Sequence, residues 1–213
     1  MTTRRLPVYI LLDTSGSMRG EPIHAVNVGM QSMLSALRQD PYALESVHLS
    51  VITFDIEAKE LFPLTPLEQV RLPEIAVPGS GATFLGAALE LLIDRVDRDV
   101  ILGSPDRKGD WRPLLFIMTD GSPSDLQCYR EMIAKVKQRH FGNIVACAAG
   151  QKAKESLLKE LTPTVVSLDT TDIASFAQFF KWVSASVATG SSSAGIASPT
   201  SLPPPPPEVQ VVI

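Results

Sequence analysis

The strongest constraint on this chain is the recurrence of short, almost continuous apolar runs separated by segments with helical periodicity. Leu6 to Leu12 carries no charge, and neither does Pro113 to Met118. Unbroken hydrophobicity over strand length is what a strand buried on both faces requires, and such strands belong to parallel sheets. Val47 to Phe54 reads as a further strand, with His48 and Ser50 alternating against Leu49 and Val51. Asn143 to Ala149 and Thr164 to Leu168 complete the core set.

Helices fill the intervals. Pro22 opens one, where its missing N–H costs nothing, and Ile23, Val26, Met30, Leu34 and Leu37 follow on one face before Asp40-Pro41 closes it. Leu85, Leu89, Leu92 and Val96 mark a second. Ser124 or Asp125 is placed to cap a third, bearing Tyr129, Ile133 and Val136. Lys152 to Leu161 is a short helix, and a last one carries Ile173, Phe176, Phe180 and Val183. Asp55-Ile56-Glu57 turns the chain into an edge strand, Ala58 to Leu61, after which prolines 63, 66, 73 and 78 predict mostly loop. Strands alternating with helices predict an α/β fold: a doubly wound, mainly parallel central sheet with one antiparallel edge strand and helices on both faces.

Composition narrows the function classes. A formal charge of −4 and the absence of a long Lys/Arg run argue against nucleic acid as the partner. The apolar run after Arg4-Arg5 is too short for a signal-peptide core and Asp13 interrupts it, and no stretch reaches membrane-spanning length. A cytoplasmic protein is expected. Cys128 and Cys147 lie far apart and form no Cys-x-x-Cys pair, so with three scattered histidines they point to small core side chains rather than a zinc site.

Composition shifts near Ala188. Residues 1–188 read as one domain and 189–213 as a flexible tail, because Thr189 to Leu202 is mostly Gly, Ser, Ala and Thr. Pro203 to Pro207 is stiff in the polyproline II form, and the chain ends on the apolar, β-branched Val209-Gln210-Val211-Val212-Ile213. A disordered end is the simpler expectation. The other is a strand added to the sheet edge of a partner or of a second copy.

Three loops carry the chemistry. Asp13-Thr14-Ser15-Gly16-Ser17 ends the first strand, Thr119-Asp120-Gly121 ends the strand expected beside it, and Thr83 precedes the helix between them in sequence. In open α/β sheets the ligand crevice lies beyond the carboxyl ends of the strands where the winding reverses. Asp13 and Asp120 bring two carboxylates there, and Ser15, Ser17 and Thr83 bring three hydroxyls. An all-oxygen set suits a hard cation: Mg²⁺ foremost, with Mn²⁺ or Ca²⁺ as substitutes. Three hydroxyls bound directly, with carboxylates acting partly through water, leave one corner for an outside ligand. Each piece alone has an ordinary reading: a self-bonded loop, a turn, a helix cap. Their shared position at one end of one sheet favours the metal.

These residues resemble, position by position, the metal-ion-dependent adhesion site of von Willebrand factor A domains, and the resemblance covers about residues 5–188. It implies a Rossmann-like fold in which Ser15, Ser17 and Thr83 contact the ion and Asp13 and Asp120 act mostly through water. It further implies a protein partner that supplies an acidic residue to the metal. The context Thr119-Asp120-Gly121-Ser122-Pro123 and the proline-rich end resemble the TerY branch. That branch is associated with tellurite and chemical-stress resistance and with companion phosphatase and kinase components.

Enzyme readings find less support. Gly81 and Gly86 have phosphate-loop spacing, but Ala87-Ala88 stands where Lys-Ser/Thr is required. No Gly-x-Ser-x-Gly elbow is present. An Mg²⁺-dependent phosphohydrolase is the remaining enzymatic alternative, and it lacks a visible nucleophile or general base near the three loops. Self-assembly through the tail is the non-enzymatic alternative. An interaction module rather than an enzyme is therefore expected.

Overall fold

The computed structural model describes residues 4–79, 81–192 and 202–212. Its strands are β1 (Leu6–Asp13), β2 (Val47–Phe54), β3 (Ala58–Pro66), β4 (Leu114–Thr119), β5 (Asn143–Ala149), β6 (Val165–Leu168) and β7 (Gln210–Val211). They form one sheet in the order β3-β2-β1-β4-β5-β6-β7. β2-β1-β4-β5-β6 are parallel, and β3 and β7 run antiparallel at the two edges. The expected doubly wound α/β architecture is therefore present, with a second antiparallel edge strand where one was expected.

The helices are α1 (Glu21–Gln39), α2 (Pro41–Ser46), α3 (Leu85–Asp99), α4 (Leu126–Lys137), α5 (Glu155–Leu161) and α6 (Ile173–Ser192). β1 shows why its sequence is apolar throughout. Leu6, Val8, Ile10 and Leu12 enter the core layer shared with α1 and α6, while Tyr9 and Leu11 enter the layer shared with α3 and α4. Alternating side chains thus meet two different cores. Among the described residues no helix is long and apolar enough to cross a membrane.

Two local expectations change. Asp40-Pro41 ends α1 and also starts α2. Asp40 accepts the Ala43 amide at 2.9 Å and Pro41 occupies the first turn, the usual opening of a helix. β3 extends to Pro66 instead of stopping at Leu61. A proline removes one ladder donor, which an edge strand tolerates because one side of it is unpaired.

The largest difference is at the C-terminus. α6 passes through Ala188 and continues to Ser192. Its small polar residues do not loosen it. The hydroxyls of Ser184, Ser186, Thr189, Ser191 and Ser192 bond carbonyls three or four residues back in the same helix. Gly190 is buried, and a Cβ there would lie 3.2 Å from a Leu114 methyl. Small side chains here serve close packing.

Residues 202–212 then lie on the domain itself. Trp182 Nε1 donates to the Pro203 carbonyl at 2.8 Å, Leu202 packs on the core and Val209 is 2% exposed. Val211 pairs with Val166, Gln210 pairs with Ser167, and the Val212 amide donates to the Val165 carbonyl at 2.9 Å. Two expectations for the end, a disordered tail and a strand lent to a partner or a second copy, both give way here: residues 210–211 form a strand at the edge of the domain's own sheet. The rest of the segment expected to be a linker, residues 193–201, lies outside the described residues.

Candidate metal centre

The site forms where the winding reverses. From β1 the chain builds outward through β2 to β3, then crosses back through α3 to place β4 on the other side of β1. Leu12 stands opposite Met118, so the next residues along, Asp13 and Thr119, are neighbours across the two strand ends. Thr119 Oγ1 donates to Asp13 Oδ2 at 2.6 Å, and the Ser15 amide donates to Asp13 Oδ1 at 2.8 Å. Both bonds hold the Asp13 carboxylate at the mouth of the sheet.

Beyond β1 the chain makes a single 3-10 turn, Gly16–Met18, anchored by the buried Met18. This turn sets the Ser15 and Ser17 hydroxyls 3.3 Å apart. Ser17 Oγ donates to Asp120 Oδ1 at 2.8 Å. Gly121 then packs on Thr83: a Cβ at Gly121 would lie 3.1 Å from Thr83 Oγ1. Asp13, Ser15, Ser17, Asp120 and Thr83 therefore share one end of the sheet, as the sequence predicts. Asp13, Ser15, Thr83 and Asp120 are buried, while Ser17 is exposed and opens the group to solvent.

Electrostatics at this spot are unfavourable without a cation. Burial pushes the Asp13 carboxyl up to about 6, against hydrogen bonds from Ser15 and Thr119 that favour its charge, and the Asp120 charge adds to the rise. Burial also raises Asp120, opposed by the Ser17 hydroxyl and by the positive Lys152. Two partly desolvated acids this close are poised for a positive ion.

The donor set fits a hard cation. Around an octahedral Mg²⁺ with ligands at about 2.1 Å, oxygens on adjacent corners lie about 3.0 Å apart. The Ser15–Ser17 spacing of 3.3 Å is close to that value, and the Ser17–Asp120 hydrogen bond of 2.8 Å keeps the Asp120 carboxylate beside the hydroxyls. Among the described residues no three His, Cys, Asp or Glu side chains gather to hold a metal, and both cysteines are free thiols. The oxygen cluster is thus a site of two acids and three hydroxyls.

The family model of the von Willebrand factor type A domain matches residues 8–181. The chain belongs to this family. Solved structures agree on the fold of this von Willebrand factor A domain. It is similar to proximal thread matrix protein 1 of the mussel byssus, solved with a zinc-occupied metal-ion-dependent adhesion site. That match has 16% identity, a TM-score of 0.63, and covers 89% of this chain and 46% of that one. It is similar to the pilus adhesin SpaC of Lactobacillus rhamnosus GG (10% identity, TM-score 0.71, 89% of this chain and 31% of that one). A von Willebrand factor type A protein of Catenulispora acidiphila matches at 14% identity and a TM-score of 0.63, over 88% of this chain and 43% of that one. This chain spans less than half the length of each of these proteins. No curated protein sequence matches it.

Two residues of the domain's site region have roles that the sequence misassigns. Either Ser124 or Asp125 was expected to cap α4. Asp125 occupies the position before α4, yet its carboxylate makes no capping bond to that helix. It accepts instead from Gly86 N at 3.1 Å and Ala87 N at 2.9 Å, in the first turn of α3. Ser124 exchanges two bonds with Thr83: its hydroxyl accepts the Thr83 amide at 3.2 Å and its amide donates to the Thr83 carbonyl at 2.8 Å. A second wall holds the same loop, where the Phe84 amide donates to the Asp55 carbonyl at 2.7 Å. Thr119 is a third supporting residue, through the Asp13 bond above. The Ser/Asp pair after Asp120-Gly121 is visible in sequence, but spacing alone does not show which helix it serves.

Proposed function

We propose that this von Willebrand factor A domain binds a carboxylate of a protein partner through a divalent cation, Mg²⁺ by preference. Ser15, Ser17 and Thr83 supply direct oxygens, and Asp13 and Asp120 supply charge, partly through water. The observation that carries this reading is the run of hydrogen bonds from Asp13 through the Ser15 amide, and on through the Ser15 and Ser17 hydroxyls to Asp120, open to solvent at Ser17. An ion there offsets the buried charge of two carboxylates and keeps a corner for an anionic ligand. A groove of about 620 Å³ lies beside it, between α1 and residues 74–77. Its lining begins at Arg19 and Gly20, directly after the turn that carries Ser17, and gives the residues flanking the partner's carboxylate a place to lie.

The chemistry is binding. The site holds no thiol or imidazole, and its two acids are engaged in holding the hydroxyl framework. The narrower placement, in the TerY stress-resistance branch with a companion phosphatase or kinase as the partner, rests on the Thr119–Pro123 sequence and the proline-rich end, and a cytoplasmic location rests on the short apolar run that Asp13 interrupts.

The test is calorimetric titration of Mg²⁺, Mn²⁺ and Zn²⁺ into the wild-type protein and an Asp13→Asn variant. Alanine is the wrong exchange here, because it would strand the buried Thr119 hydroxyl and Ser15 amide and so mix folding with binding. Asparagine keeps an acceptor for Ser15 and offers its amide to Thr119. Saturable binding by wild type, lost in the variant, together with Mg²⁺-dependent capture of a partner from the source cell, is the expected result. Absence of saturable binding in wild type, or equal binding by both proteins, overturns the reading.

A further inference from the structure

The three hydroxyl donors are not equally secured. Ser15 and Ser17 sit in one tight turn beside Asp13, whereas Thr83 arrives from a separate connection and must be brought to the site by other groups. One contact comes from the other wall, where the Phe84 amide donates to the Asp55 carbonyl at 2.7 Å, and the rest come from the loop that also carries Asp120. Ser124 clasps the main chain of Thr83 on both its amide and its carbonyl. Asp125 holds the first turn of α3, which begins two residues after Thr83, by accepting two of its otherwise unpaired amides. Between them Gly86 leaves no room for play. A Cβ there would lie 2.5 Å from the Tyr129 amide nitrogen and 2.9 Å from the Cys128 carbonyl carbon, so α3 and α4 touch backbone to backbone.

We infer that Asp125, with Ser124, is a positioning residue for the metal centre: it sets where the Thr83 hydroxyl lies relative to Ser15, Ser17 and Asp120, and thereby sets the affinity for the cation. The inference rests on the metal reading above. It assigns to Asp125 a task distinct from stability, since an unsupported α3 start lets Thr83 drift while the rest of the domain stays folded. The two jobs separate experimentally, because a helix cap elsewhere in the fold contributes to stability alone. Asp40, which caps α2 through the Ala43 amide, is such a cap.

The experiment is Mn²⁺ titration of the full chain, read by calorimetry, with thermal melting of each metal-free protein in parallel. The proteins are wild type, Asp125→Ala, Asp125→Asn, Ser124→Ala and Asp40→Ala. Supporting residues around a metal typically change its affinity by about 10-fold to 100-fold. Asp125→Ala is expected to weaken Mn²⁺ at least tenfold, Ser124→Ala severalfold, and Asp125→Asn much less than alanine because it keeps an acceptor for the α3 amides. Asp40→Ala is expected to lower the melting temperature and leave the Mn²⁺ affinity unchanged. If Asp125→Ala melts earlier but binds Mn²⁺ as wild type does, the residue is a cap and nothing more, and the inference fails. Should Asp125→Ala not fold, the comparison of Asp125→Asn and Ser124→Ala with Asp40→Ala decides in the same way. Wild type without saturable Mn²⁺, Mg²⁺ or Zn²⁺ binding removes the metal reading itself, and this inference with it.

Discussion

Replacing Gly86 with alanine tests the packing that carries Thr83 to the candidate site. On an exposed helix this exchange stabilises a protein by up to ~1 kcal/mol, because alanine loses less backbone freedom on folding. Position 86 reverses the sign. The added Cβ would stand 2.5 Å from the Tyr129 amide nitrogen, 2.7 Å from Asp125 Oδ2 and 2.9 Å from the Cys128 carbonyl carbon. Ordinary contact needs about 3.5 Å. Two of the three atoms are main chain, so α3 must withdraw from α4 by about 1 Å to restore that separation. Forced separation of this kind costs about 1–3 kcal/mol. Loosening the first turn from Asp125 removes a cap worth about 0.5–2 kcal/mol. Against a propensity gain of ~1 kcal/mol, the net loss is about 0.5–4 kcal/mol. Urea denaturation followed by far-ultraviolet circular dichroism reads this as a lower midpoint at unchanged slope. With a slope near 2 kcal/mol/M, a 2 kcal/mol loss moves the midpoint by about 1 M. Gly81→Ala is the internal control, since its Cβ would meet nothing within 4 Å. A Gly86→Ala protein as stable as wild type would show that α3 and α4 are not in backbone contact, and the argument from that contact would fail.

Two further outcomes follow from the same structure. Val209→Asp places a charge where a 2%-exposed valine anchors the terminal strand, and a buried valine contributes about 1.5–3 kcal/mol. Expected are a loss near the lower end of that range and faster hydrogen exchange at the Val212 amide, which bonds the Val165 carbonyl; unchanged exchange at that amide would refute the docking. Thr119→Val keeps the shape of a fully buried side chain but deletes the hydroxyl that donates to Asp13 and accepts the Gly121 amide. Leaving those groups unpaired costs about 1–3 kcal/mol, read as a lower melting temperature, and a variant that melts with wild type would count against the bond.

The sheet was legible because burial on both faces leaves a plain mark. Leu6–Leu12 and Pro113–Met118 are apolar throughout, since even and odd residues face two different helical layers. The tail was not legible, for a reason that composition hides. Glycine, serine and threonine are common in linkers because they resist burial and order weakly. In α6 the same residues return their hydroxyls to the helix's own carbonyls and let Gly190 approach Leu6 and Leu114. Whether a small residue marks slack or close contact depends on what lies opposite, and that information sits far away in the chain. The β-branched ending signalled a strand only as the alternative to a disordered end. What it could not signal was whose edge it would join, because strand addition uses main-chain bonds that any open edge offers.

The candidate site divides along the same line. Asp13, Ser15 and Ser17 fall within one short stretch, so their convergence needs only a turn, and one acid with two hydroxyls at every second position shows it directly. Thr83 and Asp120 needed the fold, because only a sheet that reverses its winding between β1 and β4 sends both to the same mouth. Ser124 and Asp125 lie one step further out. A Ser-Asp pair ahead of an apolar run reads as a local cap, and local capping is the commoner outcome. Here the pair turns away from its own helix because Gly86 lets α3 come within backbone contact, which brings the Gly86 and Ala87 amides within hydrogen-bonding distance of the Asp125 carboxylate. The glycine spacing Gly81–Gly86, which in sequence resembles a phosphate loop, thus has a packing origin at its second member. One small residue both imitates a nucleotide motif and conceals the support of the candidate metal site.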